Sequence, residues 1–219
     1  MTHLEALAKA EQYQSKMAKI AKKSYWKPQY HISAPANWIN DPNGFCYFNG
    51  EYHVFYQYHP YSSQWGPMHW GHVASKDLAD WEHRPIALAP TDEYDKDGCF
   101  SGSAIENDGK LYLLYTGHVD LDNSNGGNDR IETQCLAVSD DGKHFEKVEN
   151  NPVIKALPEN LNIRTEHFRD PKVWKHGDWY YTVVGVQTKE ESGQVVVYKS
   201  QDLINWEFLN IMATSSVKE

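Results

Sequence analysis

The chain alternates short runs of aromatic and β-branched residues with turns, and only its beginning departs from this pattern. Between Leu4 and Ile20 the apolar side chains recur near helical spacing, and lysines gather toward the end, where cations suit the helix dipole. This pattern predicts one helix over residues 2–23. Its apolar face is too thin for a helix that lies on a membrane surface, so we expect it to dock on the rest of the protein.

Two sequence markers recur through the rest of the chain. A turn that ends in Gly precedes each of three runs rich in Tyr, Trp, Leu and Val, at Gly50, Gly109 and Gly177. A second marker begins with Ser and ends six residues later in Trp or Phe, and it starts at Ser75, Ser139 and Ser200. Both markers return after about 60 residues, which indicates three copies of an internal repeat.

Each copy of the repeat predicts four short strands. Their approximate ranges are 44–48, 52–58, 69–75 and 81–88, then 101–106, 111–117, 133–139 and 145–148, then 170–175, 179–186, 194–199 and 206–212. Four antiparallel strands in about 60 residues are typical of one blade of a β-propeller. The sequence therefore predicts an all-β fold of about three four-stranded blades, preceded by an N-terminal helix.

Blade topology predicts where the side chains of a site would meet. The first strand of a blade lines the central channel, and its beginning lies on the same face as the loop between the second and third strands. Asp41, Ser101 and Asp170 are predicted to begin the three inner strands, with Gln57 near the end of a second strand. The loops predicted to face the same funnel are 62–66, 118–131 and 187–193.

Two Asp-Pro pairs stand at the same place in two copies of the repeat, at Asp41 and Asp170, whereas the middle copy has Ser101 there. The fold therefore does not need Asp at this place, and the two carboxylates are a candidate catalytic pair. Proline restricts the preceding residue to extended backbone, which would hold each carboxylate rigidly. Arg169 would lower the pKa of the neighbouring carboxyl and keep it ionised.

Ionised carboxylates in an aromatic funnel suit the oxocarbenium-like transition state of glycoside hydrolysis. Other reaction classes lack their motifs, because the sequence contains no Gly-rich phosphate loop with Lys and no G-x-S-x-G. His69 and His72 resemble a metal-ligand pair only loosely. Residues three apart on a strand face opposite sides, so we interpret both as structural or substrate-contacting.

Charge and cysteine usage restrict the partners and the compartment. The net charge is −9, without a basic cluster in the body, which argues against nucleic acid. No apolar stretch reaches transmembrane length and the N-terminus lacks a hydrophobic signal region, which predicts no membrane partner. Cys46, Cys99 and Cys135 are odd in number and lack Cys-x-x-Cys spacing, as expected for free thiols in the cytoplasm.

Three ordered blocks resemble the signatures of glycoside hydrolase family 32, the β-fructofuranosidase or invertase family. They are Trp38-Ile39-Asn40-Asp41-Pro42-Asn43-Gly44, Phe100-Ser101-Gly102-Ser103 and Phe168-Arg169-Asp170-Pro171. With Tyr30-His31-Ile32-Ser33 and the N-terminal helix, the chain looks most like bacterial sucrose-6-phosphate hydrolases. The resemblance implies a five-bladed propeller, with residues 1–36 as helix and lead-in and residues 37–219 as three blades.

The resemblance also implies roles for single residues. Asp41 would be the nucleophile that attacks the fructosyl anomeric carbon, and Asp170, beside Arg169, would stabilise the transition state. The residues implied to line the fructose subsite are Asn40, Gln57, Trp65, Phe100 and Ser101, with Trp38 shaping its wall. The implied reaction is hydrolysis of a small carbohydrate, sucrose, sucrose 6-phosphate or a fructan, with retention through a covalent intermediate and without metal or cofactor.

One departure from the family pattern concerns the general acid/base, a Glu followed by Cys, because this chain has no Glu-Cys pair. The glutamates after Asp170 are Glu190, Glu191, Glu207 and Glu219. We therefore expect the N-terminal part of a longer enzyme that lacks its other blades and a C-terminal β-sandwich. Three blades also cannot close a ring, and their open edges would favour self-association.

Two alternatives and one detail stay open at the level of sequence. The chain could be a catalytically inactive module that binds sugar or a partner, or a member of a related five-bladed family that acts on arabinan or xylan. The preference among sucrose, sucrose 6-phosphate, inulin and short fructans also stays open, because contacts to the glucose or phosphate side would come from loops such as 118–131 with Arg130 and from the missing blades.

Overall fold

The computed structural model describes residues 1–28, 30–121 and 129–218, which form one helix and twelve strands. Helix α1 spans His3–Ala21. It begins at Thr2, whose hydroxyl accepts a hydrogen bond from the Glu5 amide while the Glu5 carboxylate accepts one from the Thr2 amide. This capping box satisfies two amide groups that the first turn leaves unpaired. No described helix is both long and apolar enough to cross a membrane.

The strands form three antiparallel sheets of four strands, each in chain order. The first sheet holds β1 (Trp38–Phe48), β2 (Glu51–His59), β3 (His69–Ser75) and β4 (Glu82–His83). The second holds β5 (Gly98–Asn107), β6 (Lys110–Asp120), β7 (Arg130–Ser139) and β8 (Glu146–Lys147). The third holds β9 (Ile163–His176), β10 (Trp179–Thr188), β11 (Ser192–Ser200) and β12 (Glu207–Lys218). The prediction of an all-β chain with three four-stranded sheets behind one helix is confirmed.

The Ser-initiated marker of each repeat folds into the same turn. The hydroxyls of Ser75, Ser139 and Ser200 each donate to the carboxylate two residues later, at 2.9, 3.0 and 3.0 Å. Each of these carboxylates then accepts backbone amides of the turn. Side chains that bond to nearby backbone in this way stabilise turns. The marker therefore recurs because each sheet needs the same turn after its third strand.

The apolar core lies between the sheets and under the helix. Phe55 and Trp70 of the first sheet pack in one cluster with Leu113 and Tyr115 of the second, and all four are fully buried. The second and third sheets meet through another cluster. Helix α1 buries Ala10 in a cluster with residues of the first sheet. Docking of the helix on the body, as predicted, follows from these contacts.

Candidate active site

At one comparable place, the innermost strand of each sheet carries one extra residue relative to its neighbour. The pairing of β1 with β2 skips at Asn40 and Asp41, that of β5 with β6 skips at Ser101, and that of β9 with β10 skips at Asp170 and Pro171. Such β-bulges aim side chains away from the ladder and are frequent beside active sites. The prediction that Asp41, Ser101 and Asp170 begin the inner strands is wrong, because each of these strands begins three or more residues earlier.

The three bulges meet around one cavity of about 160 Å³. Its lining residues are Asn40, Asp41, Gln57, Trp65, Met68, Phe100, Ser101, Arg169 and Asp170. Eight of these nine were singled out from the sequence, and Met68 was not. Trp38 does not line the cavity, but its indole N–H donates to the side-chain oxygen of Asn40 at 2.9 Å, so it holds a lining residue in place. The structure therefore brings the predicted residues together.

Two open spaces adjoin this cavity. One of about 400 Å³ reaches from Asp41 and Ser101 to Lys172, and a groove of about 750 Å³ extends along the third sheet past Asp170 and Gln187. The Ser101 hydroxyl donates to the Asp41 carboxylate at 3.3 Å. Both carboxylates are exposed to solvent, and Asp170 retains 59 % of its side-chain exposure. A ligand could therefore reach both carboxylates from one side.

Aromatic rings build one wall of the cavity. The Phe100 ring stacks on His118 with centroids 3.9 Å apart, and the Trp65 ring meets Phe100 edge-on at 6.4 Å. The side-chain amide of Gln57, which also lines the cavity, donates to the Cys99 carbonyl at 3.0 Å. Flat apolar rings beside amides and carboxylates provide both the faces and the acceptors that a sugar ring requires.

The loop that carries Trp65 is held from below by two imidazoles. The Nδ1 atoms of His59 and His69 each lie 3.1 Å from the Pro67 carbonyl, which can only accept, so both nitrogens donate. A Cβ atom on Gly66 would lie 2.6 to 2.9 Å from the His59 ring. Glycine at this position lets the loop pack closely over the imidazole.

The backbone and the charge of Asp170 differ from the sequence prediction. Its φ is +63°, a left-handed conformation, so the extended backbone expected before Pro171 is wrong at this residue. Partial loss of water around the carboxyl raises its pKa, the Arg169 guanidinium opposes this, and the charges of Glu132 and Asp41 add to the rise. The pKa is therefore raised and not lowered by the surroundings, although solvent screens the effect at an exposed group.

Glu132 explains why Arg169 does not lower the pKa of the Asp170 carboxyl below its ordinary value. Arg169 Nη1 lies 3.1 Å from Glu132 Oε1, whereas its Nε is 3.8 Å from Asp170 Oδ2. The Glu132 side chain is fully buried. His118 Nδ1 lies 3.5 Å from Glu132 Oε1, which is longer than a normal hydrogen bond. Burial opposes ionisation of Glu132, but His118, Arg169 and the Phe168 amide outweigh it and lower its pKa. A charged residue inside a buried strand was the sequence signal that could have found it.

The glutamates beyond Asp170 that the structure describes have other partners. Glu190 accepts hydrogen bonds from the Asn162 side chain at 2.7 and 2.8 Å. Glu191 lies 3.6 Å from Arg164, and Glu207 of β12 pairs with Lys199 of β11 at 3.2 Å. None of the three lines the cavity of Asp41 and Asp170.

Two further sequence expectations concern a loop and the histidines. Residues 122–128 of the loop 118–131 lie outside the described residues, whereas Arg130 donates from Nε to the Glu166 carbonyl at 3.0 Å. His72 lies 2.9 Å from His53 Nδ1, while His69 bonds to Pro67, so the two histidines of β3 point to different partners. Within the described ranges, no group of three or more His, Cys, Asp or Glu side chains could hold a metal ion.

Comparison with known proteins gives a consistent match. The model of the glycosyl hydrolases family 32 N-terminal domain matches residues 31–219. A sucrose-6-phosphate hydrolase of Escherichia coli is 51% identical over 193 residues, which are 88% of this chain and 39% of that protein. The sucrose-6-phosphate hydrolase of Bacillus subtilis is 46% identical over 190 residues, 87% of this chain and 38% of that protein. The chain thus spans about two fifths of the length of these curated relatives.

Solved structures agree with the sequence relatives. A Bombyx mori GH32 beta-fructofuranosidase superposes with a TM-score of 0.85 at 45% identity, over 98% of this chain and 44% of that one. A mutant of that enzyme was solved in complex with sucrose, with the same TM-score of 0.85. The sucrose-6-phosphate hydrolase from Lactobacillus gasseri gives a TM-score of 0.79 at 35% identity, over 95% of this chain and 41% of that one.

Proposed function

The chain belongs to glycosyl hydrolase family 32, and from that premise we propose that the protein cleaves the β-fructofuranosyl bond of sucrose or sucrose 6-phosphate with retention of configuration. The observation that carries this proposal is the cavity that Asp41 of β1 and Asp170 of β9 line together with Ser101 of β5, the strand that lies between them. The names of the relatives support sucrose 6-phosphate, and the sucrose complex of the silkworm enzyme supports sucrose.

Asp41 acts as the nucleophile in this proposal. A carboxylate oxygen of Asp41 bonds to the anomeric carbon while the glycosidic C–O bond breaks, and the leaving oxygen takes up a proton. Water then cleaves the fructosyl ester and regenerates the carboxylate. The Ser101 hydroxyl, at 3.3 Å from Asp41, orients the attacking group.

Asp170 stabilises the transition state and holds sugar hydroxyls. Its carboxylate lines the same cavity as Asp41, where its negative charge stabilises the positive charge that develops on the fructosyl ring. Arg169 binds the sugar from the same bulge. Asn40, Gln57, Trp65 and Phe100 complete the fructose subsite, with Trp38 behind Asn40.

The proton donor is not assigned to any described glutamate beyond Asp170, because those glutamates bond elsewhere. The relatives are about two and a half times as long as the matched part, which supports a longer polypeptide. We propose that residues 37–219 are three blades of a five-bladed propeller behind the lead-in 1–36. The other blades, a β-sandwich and the acid/base Glu would belong to the rest of that polypeptide, which would cover the open sheet faces that otherwise favour self-association.

Small carbohydrates are the proposed partners, and the cytoplasm is the proposed compartment. The kestose complex of a chicory fructan 1-exohydrolase, a structural relative at 33% identity, extends the candidate substrates to short fructans. All three cysteines are free thiols, which supports a reducing compartment.

An activated donor tests the nucleophile without a proton donor. β-Fructosyl fluoride needs no general acid, because fluoride leaves with the electron pair of the C–F bond. We expect the chain to release fluoride and to carry one fructosyl group on the peptide that contains Asp41, and Asp41→Ala to do neither. Asp140→Ala, at an exposed surface carboxylate, is the matched control. Fluoride release by Asp41→Ala at the rate of the unchanged chain would contradict the assignment.

One second function has an observation in its favour. The other partners of the described glutamates favour a chain that binds sugar but does not hydrolyse it by itself, since general acid–base help is worth about 10²–10⁴-fold. Sucrose cleavage by the chain at a rate close to that of the fluoride would exclude this alternative.

A further inference from the structure

The bulge that carries Asp170 lacks the backbone partners of a regular strand. Between the pairs Arg169–Gly185 and Lys172–Val183, two residues of β9 stand opposite a single residue of β10. In addition, the left-handed φ of Asp170 precedes a proline, and that combination is costly for a residue other than glycine. A conformation of this kind persists only where the surrounding structure imposes it.

The second sheet supplies the missing partners through a directed chain of hydrogen bonds. The Asp170 amide donates to the Thr116 hydroxyl at 3.1 Å, and this hydroxyl donates to Gln134 Oε1 at 2.9 Å. Gln134 Nε2 then donates to the Phe168 carbonyl at 2.7 Å. Thr116 and Gln134 are fully buried. The Thr116 and Gln134 side chains each accept one hydrogen bond and donate one, which fixes the orientation of the Gln134 amide.

Glu132 binds the two residues that precede Asp170 in the same bulge. Its Oε2 accepts the Phe168 amide at 3.1 Å, and its Oε1 receives Arg169 Nη1 at the same distance. Arg130 Nε lies 3.9 Å from Oε1 on the other side. Because Glu132 is 2 % exposed, Arg169 is bound to a carboxylate that solvent does not screen. The guanidinium is thereby kept from closing fully onto Asp170.

We propose, on the basis of the fructosyl transfer proposed above, that three buried side chains of the second sheet are positioning residues for the site. They are Thr116, Glu132 and Gln134. Through hydrogen bonds to the backbone and to Arg169 they impose the conformation of the β9 bulge, and so they determine where the Asp170 carboxylate stands relative to Asp41. They do not touch the sugar.

Valine at position 116 keeps the shape of threonine and removes the hydroxyl. We expect Thr116→Val to reduce hydrogen-exchange protection of the Asp170 amide by tenfold or more. Fluoride release from β-fructosyl fluoride should slow by about 10–100-fold, which is the effect expected when a catalytic group is misplaced. Thr116→Ser, which keeps the hydroxyl, is expected to recover most of both. Thr133→Val is the control, since Thr133 is a buried threonine of β7 whose hydroxyl faces Cys135.

Glu132→Gln gives a second readout that a purely structural role would not change. Removing the buried charge, and freeing Arg169 to approach Asp170, should lower the pKa of the Asp170 carboxyl, measured by ¹³C NMR titration of the Asp41→Ala background. Thr133→Val should leave that titration unchanged.

Unchanged Asp170 protection and transfer rate in Thr116→Val, together with an unchanged Asp170 titration in Glu132→Gln, would overturn the positioning role while the nucleophile stands. Failure of the proposed function has a different signature, namely fluoride release that survives Asp41→Ala. The exchange and titration results are independent of turnover and decide the positioning role in either case.

Discussion

Acid is expected to destabilise the folded protein well above the pH at which its carboxylates take up protons, and His69 shows the size of the effect. Its imidazole is 4 % exposed in β3 and donates to the Pro67 carbonyl. Burial is the largest influence and lowers the pKa of His69 from 6.5 to about 3, although the bond to Pro67 opposes it. The folded protein therefore resists protonation of a group that the unfolded chain protonates readily.

The sign and the size follow from proton linkage. As the pH falls below 6.5 the unfolded state binds the proton first, so the free energy of unfolding decreases, and the loss is complete near pH 3. The slope contributed by one such group is about 1.4 kcal/mol per pH unit. Between pH 6.5 and pH 5 this single histidine costs about 2 kcal/mol, a large part of the 5–15 kcal/mol typical of a domain.

Urea denaturation followed by tryptophan fluorescence at several pH values measures this slope. His69→Asn keeps a side-chain amide near the Pro67 carbonyl and cannot titrate, so its unfolding free energy should depend on pH less steeply by about 1.4 kcal/mol per unit between pH 6 and 5. The half-buried His3 and the buried His72, whose pKa values are also lowered, leave a residual slope. His176→Asn, at an exposed histidine, controls for the substitution. Equal slopes in His69→Asn and the unchanged chain would refute the reasoning.

Three further outcomes test the packing and the site. Lys147→Met should lower the unfolding free energy by about 3–5 kcal/mol, because it leaves the buried Asp95 carboxylate without the ammonium that now lies 2.6 Å away. Adding Asp95→Asn should recover part of the lost unfolding free energy, measured by chemical denaturation. Gly102→Ala should cost about 1–3 kcal/mol or more, since its Cβ would lie 2.1 Å from the Leu114 carbonyl oxygen, and an unchanged melting temperature would contradict the clash. Trp65→Ala, at a side chain that is 52 % exposed, should leave stability unchanged but weaken calorimetric fructose binding by about 0.5–1.5 kcal/mol.

The sequence predicted the sheets and the membership of the site because both depend on local patterns. Strands two and three of each sheet fall within a few residues of the predicted ranges, since turns flank them on both sides. The inner strands of the first and third sheets were predicted too short because Asp-Pro was interpreted as the beginning of a strand, whereas in the structure it marks a bulge. The fourth strands of the first two sheets were predicted too long, at 81–88 and 145–148, since only Glu82–His83 and Glu146–Lys147 pair as strands.

The conformation and charge of the site could not be predicted, because they depend on residues distant in sequence. The Asp170 amide bonds to Thr116, and Val173 bonds to Ser103, whose hydroxyl also donates to the Pro171 carbonyl at 2.8 Å. No periodicity links such pairs. A signal was nevertheless present, since polar side chains at inward-facing positions of buried strands must find buried partners.

Hydrogen bonds from a side chain of one sheet to the backbone beside a bulge of the next sheet also occur between the first and second sheets. Packing of the sheets and assembly of the site are therefore one process. The Trp70 indole N–H donates to the Phe100 carbonyl at 3.1 Å, next to the bulge at Ser101. The Gln134 side-chain amide of the second sheet likewise donates to the Phe168 carbonyl of the third sheet. The bulges of the second and third sheets are therefore each held by side chains of the sheet before them. Loosening the contact between two sheets should then displace a carboxylate before it unfolds a strand.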